Sequence, residues 1–102
     1  MAYRFEYRAS FWQDYSAALA YIAGSLKKPI AARELDEAIE REKQALLSFP
    51  TAGKPFASPP DVDAPYYALR VKSYLAFYVV VGDVVEFRCF LYSRANLHDR
   101  LQ

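Results

Sequence analysis

Residues 3–8 alternate strictly, with Tyr3, Phe5 and Tyr7 on one side and Arg4, Glu6 and Arg8 on the other. That two-residue period predicts a half-buried strand. The period then lengthens. Trp12, Tyr15, Leu19, Ile22 and Leu26 recur at steps of three and four, the stripe of an amphipathic helix about four turns long. Ser10 stands where an N-cap would, and Asp14 falls in the first turn, where a carboxylate suits the helix dipole. Gly24 and the Lys27-Lys28 pair fit the C-terminus of this helix. Pro29 can open a second helix, because the N–H it lacks has no partner there. Leu35, Ile39, Glu42, Leu46 and Phe49 mark the inward face of that helix, with Glu42 its one breach. Glu34, Asp36, Glu37 and Glu40, mixed with Arg33, Arg41 and Lys43, predict a solvated outer face. Two helices joined by a tight turn form an antiparallel hairpin laid on a sheet.

Prolines 55, 59, 60 and 65 make residues 51–65 a long irregular segment, since proline blocks both helix and ladder. It reads either as a functional loop or as a plain crossover packed by Phe56. Residues 66–72, 74–81 and 84–92 are rich in β-branched and aromatic side chains and predict three strands in meander order. A two-residue turn at Gly82-Asp83 sets Val81 opposite Val84, Val79 opposite Glu86 and Phe77 opposite Arg88. In that register Tyr74, Ala76, Tyr78 and Val80 share a face with Val85, Phe87, Cys89 and Leu91, and the helices cover it. Leu75, Phe77, Val79 and Phe90 then lie on the opposite face with Glu86, Arg88 and Tyr92. No other element is large enough to cover that second face, which predicts a partner there; the competing reading folds the C-terminal residues over part of it. The whole is one α+β domain over residues 1–102, a strand–helix–helix–meander sandwich with the helical hairpin on one face.

Composition narrows the function. The chain has 102 residues and a formal net charge of +1, so a grip on nucleic acid needs a local patch or a partner's help. Nine tyrosines in so small a domain place some rings at the surface, where tyrosine suits an interface. The single Cys89 cannot form an internal disulfide, lies in an apolar strand, and fits a reducing cytosol. No charged-then-apolar leader opens the chain and no apolar run reaches ~18 residues, so a cytoplasmic protein without a membrane span is expected. Three glycines cannot supply a phosphate-cradling loop, and one Cys with one His makes no zinc site. No metal or other cofactor is expected.

Cations collect late in the chain. Arg70 and Lys72 are two apart and share a strand face, Arg88 lies on the last strand, and Arg94 follows its end. Converging on one groove, they could hold a phosphate while Tyr92 or His98 moves a proton, as metal-free ribonuclease chemistry requires. Solubilising or carboxylate-paired arginines are the equally weighted alternative, and His98, in a polar run near the terminus, reads as incidental.

The order strand–helix–helix–meander, with Asp14 through Tyr21-Ile22 in the first helix, Leu47-Ser48-Phe49-Pro50 closing the second, Leu69-Arg70-Val71 before the segment 74–78, and the run 91–97, resembles the RelE/ParE family of type II toxins over nearly the whole chain. The resemblance implies a growth-inhibiting toxin neutralised by a cognate antitoxin protein. RelE-like members cut mRNA on the ribosome; ParE-like members poison DNA gyrase. A RelE-like reading would make Arg70, Tyr92 and Arg94 catalytic. Leu75 and Ala68, however, stand where those nucleases carry an arginine and a lysine, and the tyrosine expected near the C-terminus is missing, with Arg100 or its neighbours in its place. The lean is therefore ParE-like. A non-toxic interaction module on the same fold is the remaining alternative. The antitoxin is expected on the uncovered face, at Leu75, Phe77, Val79, Arg88 and Phe90.

Overall fold

The computed structural model describes residues 2–95 and 101. Strand β1 (Arg4–Tyr7) leads directly into helix α1 (Ala9–Ala20), which runs on as a π-helical turn (Tyr21–Ser25) before helix α2 (Pro29–Leu46). Strands β2 (Tyr67–Val71), β3 (Tyr74–Val81) and β4 (Val84–Tyr92) complete a four-stranded sheet in the order β1-β4-β3-β2. The meander is antiparallel and β1 pairs parallel to β4. The α+β sandwich and its helical hairpin are as the pattern predicts.

The phase of α1 differs from the expected stripe. Its N-cap is Arg8, not Ser10, and no acid lies in its first turn. Starting at Ala9 turns Phe11 and Tyr15 into the core, with Ala18, Leu19 and Ile22 packed behind them. Trp12 and Leu26 are about half exposed instead. Phe11 touches the rings of Tyr7, Tyr15, Phe87 and Phe90, an aromatic layer with centroids 5.5–6.0 Å apart, within the range where ring pairs attract.

Helix α2 opens on Pro29 as expected, but its inward face is Ala32, Leu35, Ala38, Ile39, Lys43 and Leu46. Glu42 is exposed, and Phe49 lies beyond the helix end in solvent. The buried cation, Lys43, hydrogen-bonds Tyr7 and Glu40 and lies over the rings of Phe5 and Tyr7. Burial works against its charge, yet those partners outweigh burial and raise its pKa above the ordinary lysine value. Tyr15 of α1 bonds Asp36 of α2 and clamps the hairpin.

The largest correction concerns register. Val81↔Val84 and Val79↔Glu86 pair as predicted, but Phe77 faces Cys89 rather than Arg88, because the ladder shifts between Phe77 and Tyr78. Tyr78 faces Phe87, so Arg88 is an extra residue on β4, a β-bulge. Every later side chain of β4 therefore changes face. Phe90 joins the helix-covered core, while Cys89 and Leu91 join Phe77 and Val79 on the other side. Tyr92 moves to the helix side, edge-on to Tyr74.

The second face is not open. Residues 51–65 cross it: Val62 and Ala64 pack on Phe77, Val79, Cys89 and Leu91, together with Tyr66 and Leu101. The ring of Phe56 meets Phe77 edge-on at 5.4 Å. Phe77 and Val79 are fully buried there. Prolines and aspartates gave this segment no periodicity, so its covering role leaves no repeating signal in the sequence.

Candidate partner-binding groove

Strand β1 ends at Tyr7, where the Arg8 amide donates to the Phe87 carbonyl, but β4 continues to Tyr92. Beyond that point the edge of β4 has no neighbouring strand among the described residues, and its backbone groups need partners. Helix α1 supplies them. Ser10 Oγ donates to the Arg88 carbonyl at 2.6 Å, and Asp14 Oδ2 accepts from the Phe90 amide at 3.1 Å. The two residues read from sequence as a cap and a dipole partner are thus side-chain substitutes for a missing strand.

Between this edge and the end of α1 lies a groove of about 670 Å³. Ala17 and Ala18 keep the helix wall low, Phe90 and Tyr74 form the sheet wall, and Tyr21, Leu26 and Tyr92 stand at the rim. Tyr21, Leu26 and Tyr92 are each about half exposed, at 53%, 45% and 46%. Burial, followed by the nearby Tyr92 and Tyr21, pushes the Tyr74 phenol up. An apolar trough with tyrosines at its rim is suited to an amphipathic peptide segment. The sequence reading missed this groove because it depends on two alanines, on where β1 stops, and on the bulge that turns Phe90 inward.

Of the residues singled out for ribonuclease chemistry, Arg70 and Tyr92 lie on opposite faces of the sheet. Arg70 pairs with Leu75 on the loop-covered face, exposed, its Nη1 donating to the Lys72 carbonyl at 3.2 Å. Tyr92 belongs to the opposite face, and Arg94 lies exposed in the turn after β4. His98 and Arg100 fall outside the described residues. Of the residues singled out for an antitoxin, Phe77, Val79 and Phe90 are buried inside the chain, and Leu75 is half-buried.

Arg88 is also buried, in an ionic cluster. It grips Asp61 with both guanidinium nitrogens at 2.6 and 2.9 Å, while its Nε donates to Glu86 at 2.7 Å. Arg8 completes the cluster through Asp61 at 2.9 Å and Glu86 at 3.4 Å. The Arg88 hydrogen bonds hold the Asp61 carboxyl down at about 2, and the same bonds raise Arg88. Two cations against two carboxylates leave no net charge to attract a ligand; the cluster fastens the loop to the bulge. Among the described residues no group of three His, Cys, Asp or Glu could hold a metal ion, and no helix is long and apolar enough to cross a membrane.

Comparison with known proteins identifies the fold and the family. The chain is similar in fold to a chromosomal ParDE toxin–antitoxin structure from P. aeruginosa, with a TM-score of 0.67 over 88% of this chain and 95% of that one, at 15% identity. No curated protein sequence matches. Residues 5–96 match the family described as ParE toxin of type II toxin–antitoxin system, parDE. The chain therefore belongs to the ParE toxin family, is the toxin of a type II toxin–antitoxin module, and has a cognate antitoxin as its partner.

Proposed function

We propose that this toxin arrests growth by poisoning DNA gyrase, and that its antitoxin silences it by laying an apolar segment in the groove between α1 and β4. Support for a non-nucleolytic action comes from the placement of Arg70 and Tyr92 on opposite faces of the sheet. Cleavage at a 2′-hydroxyl needs a base, an acid and cations within about 3 Å of one phosphate. The decisive experiment adds the purified toxin to gyrase with supercoiled plasmid, and separately to programmed ribosomes. Accumulated gyrase-cleaved DNA with intact mRNA supports the proposal; A-site cuts that vanish on Arg94→Ala overturn it.

The groove is the favoured dock because it gathers the half-exposed side chains of Tyr21, Leu26 and Tyr92 around one apolar trough. Lys27 and Lys28 follow Leu26 at one rim, and Arg94 follows Tyr92 at the other. The matching segment is amphipathic, with carboxylates flanking its apolar face. Ala17→Arg fills the trough from an exposed helix position and should weaken the antitoxin complex on the order of 100-fold without unfolding the toxin. Unchanged affinity, measured by calorimetric titration, would move the dock elsewhere.

A further inference from the structure

Ala17, Ala18 and Tyr21 fall three, four and seven residues after Asp14, so all four stand on one stripe of α1 and the π-helical turn, and all four line the groove. Across from them, the rings of Tyr74 and Phe90 stack at 4.9 Å, and Tyr92 meets Tyr74 edge-on at 5.6 Å. Among the described residues Asp14 is the one charged side chain in the lining, and it is half-buried. An aromatic trough thus has a carboxylate in its wall.

The hydrogen bond from the Phe90 amide does not explain that charge. An N–H needs only an oxygen to accept it, and the amide oxygen of an asparagine has the same reach. One helical turn earlier, Ser10 serves the same strand edge with a neutral hydroxyl. A carboxylate is disfavoured under an apolar cover unless the cover brings a cation. The rings beside Asp14 favour the same occupant, because a cation over an aromatic face is attracted by the ring quadrupole. The rim has the opposite sign, with Lys27 and Lys28 after Leu26 and Arg94 after Tyr92. The groove is therefore negative within and positive at its borders, a pattern that a segment of purely apolar contact face does not match.

We propose that Asp14 and the rings of Tyr21, Tyr74 and Tyr92 form a subsite for one lysine or arginine side chain of the bound antitoxin segment. The proposal rests on the reading of the groove as the antitoxin dock. The apolar stem of such a side chain lies over Ala17 and Ala18, whose small side chains leave room for it, and the charged head reaches the carboxylate. The subsite also makes the toxin selective. A segment with an apolar or acidic residue at that place covers the Asp14 charge without compensating it, so antitoxins that lack the cation are rejected.

The test is a double-mutant cycle between the full-length toxin and its cognate antitoxin, measured by calorimetric titration. Asp14→Asn keeps an acceptor for the Phe90 amide, so the melting temperature of the toxin should stay level while affinity falls on the order of 30-fold. Replacing one antitoxin lysine or arginine with glutamine should cost about as much, and the two changes together little more than either alone. The antitoxin variant leaves the toxin untouched, so it reports the subsite even where Asp14→Asn disturbs the edge of β4. Full affinity with Asp14→Asn, or losses that add at every antitoxin lysine and arginine, would overturn the subsite. Ala17→Arg separates that failure from failure of the dock: weaker binding with Ala17→Arg but not with Asp14→Asn removes the subsite alone, and full affinity with both removes both. A free toxin that sediments as a dimer, and as a monomer once Ala17→Arg is introduced, would give the groove to a second copy of the chain and overturn the assignment.

Discussion

The two faces of the sheet are closed by different means. On one, α1 and α2 lay Phe11, Tyr15, Leu35 and Ile39 over Tyr78, Phe87 and Phe90, a layer with deep ring contacts and a Tyr15–Asp36 hydrogen bond across the helical hairpin. On the other, an irregular segment places Val62, Ala64 and Phe56 over Phe77 and Val79 and is fastened by Asp61 to Arg88. Both faces bury phenylalanine completely, yet only the first is backed by regular secondary structure. Burial alone therefore does not tell how firmly a face is held; the connectivity of the cover does.

The largest effect that could break this comparison comes from equal truncations. Phe11→Ala and Phe77→Ala remove the same atoms from positions 1% and 0% exposed. Phe-to-Ala changes in cores cost about 3–5 kcal/mol, less where the surroundings can settle into the cavity. Phe11 is surrounded by helix and sheet, so its loss should fall near the upper end. Phe77 lies under a loop that can move inward, so its loss should fall near the lower end. Urea denaturation of both variants gives the ordering; a larger cost at Phe77 would mean the loop is as rigid as the helices.

Much of this contrast can be read in the sequence and part cannot. The alternation of residues 3–8, Pro29 at the helix start, and the Gly82-Asp83 turn specify local backbone states directly. The inward set of α2 is legible at Leu35, Ile39 and Leu46 but not at its charged position, because Glu42 and Lys43 are adjacent and only the partners Tyr7 and Glu40 show which of them can be buried. Arg88, the extra residue of the bulge, is held by a nonlocal ion pair with Asp61, and the run Cys89-Phe90-Leu91 is apolar at every position, so alternation gives no phase there. A pairing of the late Arg88 with an acid in the loop was the one available clue. Of the candidate site, the rim tyrosines could be anticipated from composition, while the groove itself required the early end of β1.

A smaller effect tests the fastening alone. Asp61→Asn leaves the apolar contacts of the loop in place and removes the carboxylate that Arg88 and Arg8 share. The loop should then open more often without global unfolding, exposing Cys89, which is 7% exposed in the closed form. Labelling by a thiol reagent at neutral pH should accelerate on the order of 10-fold, with only a small fall in melting temperature. If labelling rises only in step with global unfolding, loop and core open together and the two faces are one cooperative unit.

The smallest effect, and the one that separates the faces without mutation, is pH. Asp61 has an unfolded value near 3.8 and a folded value of about 2. Its pKa is depressed, so its contribution is complete above pH 4 and is lost as pH falls through about 2. On the helix side Tyr15 is raised, by burial first and then by its bond to Asp36, while burial pushes Tyr78 up to about 12 from 10.0. These raised values act in the opposite direction: the stability is complete below pH 10 and declines as pH rises through the folded values. Hydrogen exchange should therefore show residues 51–66 losing protection between pH 4 and pH 2 while α1 keeps its own. Above pH 10 tyrosinate absorbance and loss of near-ultraviolet dichroism should report the helix-covered face loosening. Simultaneous loss of protection in α1 and the loop at acid pH would show that Asp61 supports the whole fold rather than one face of it.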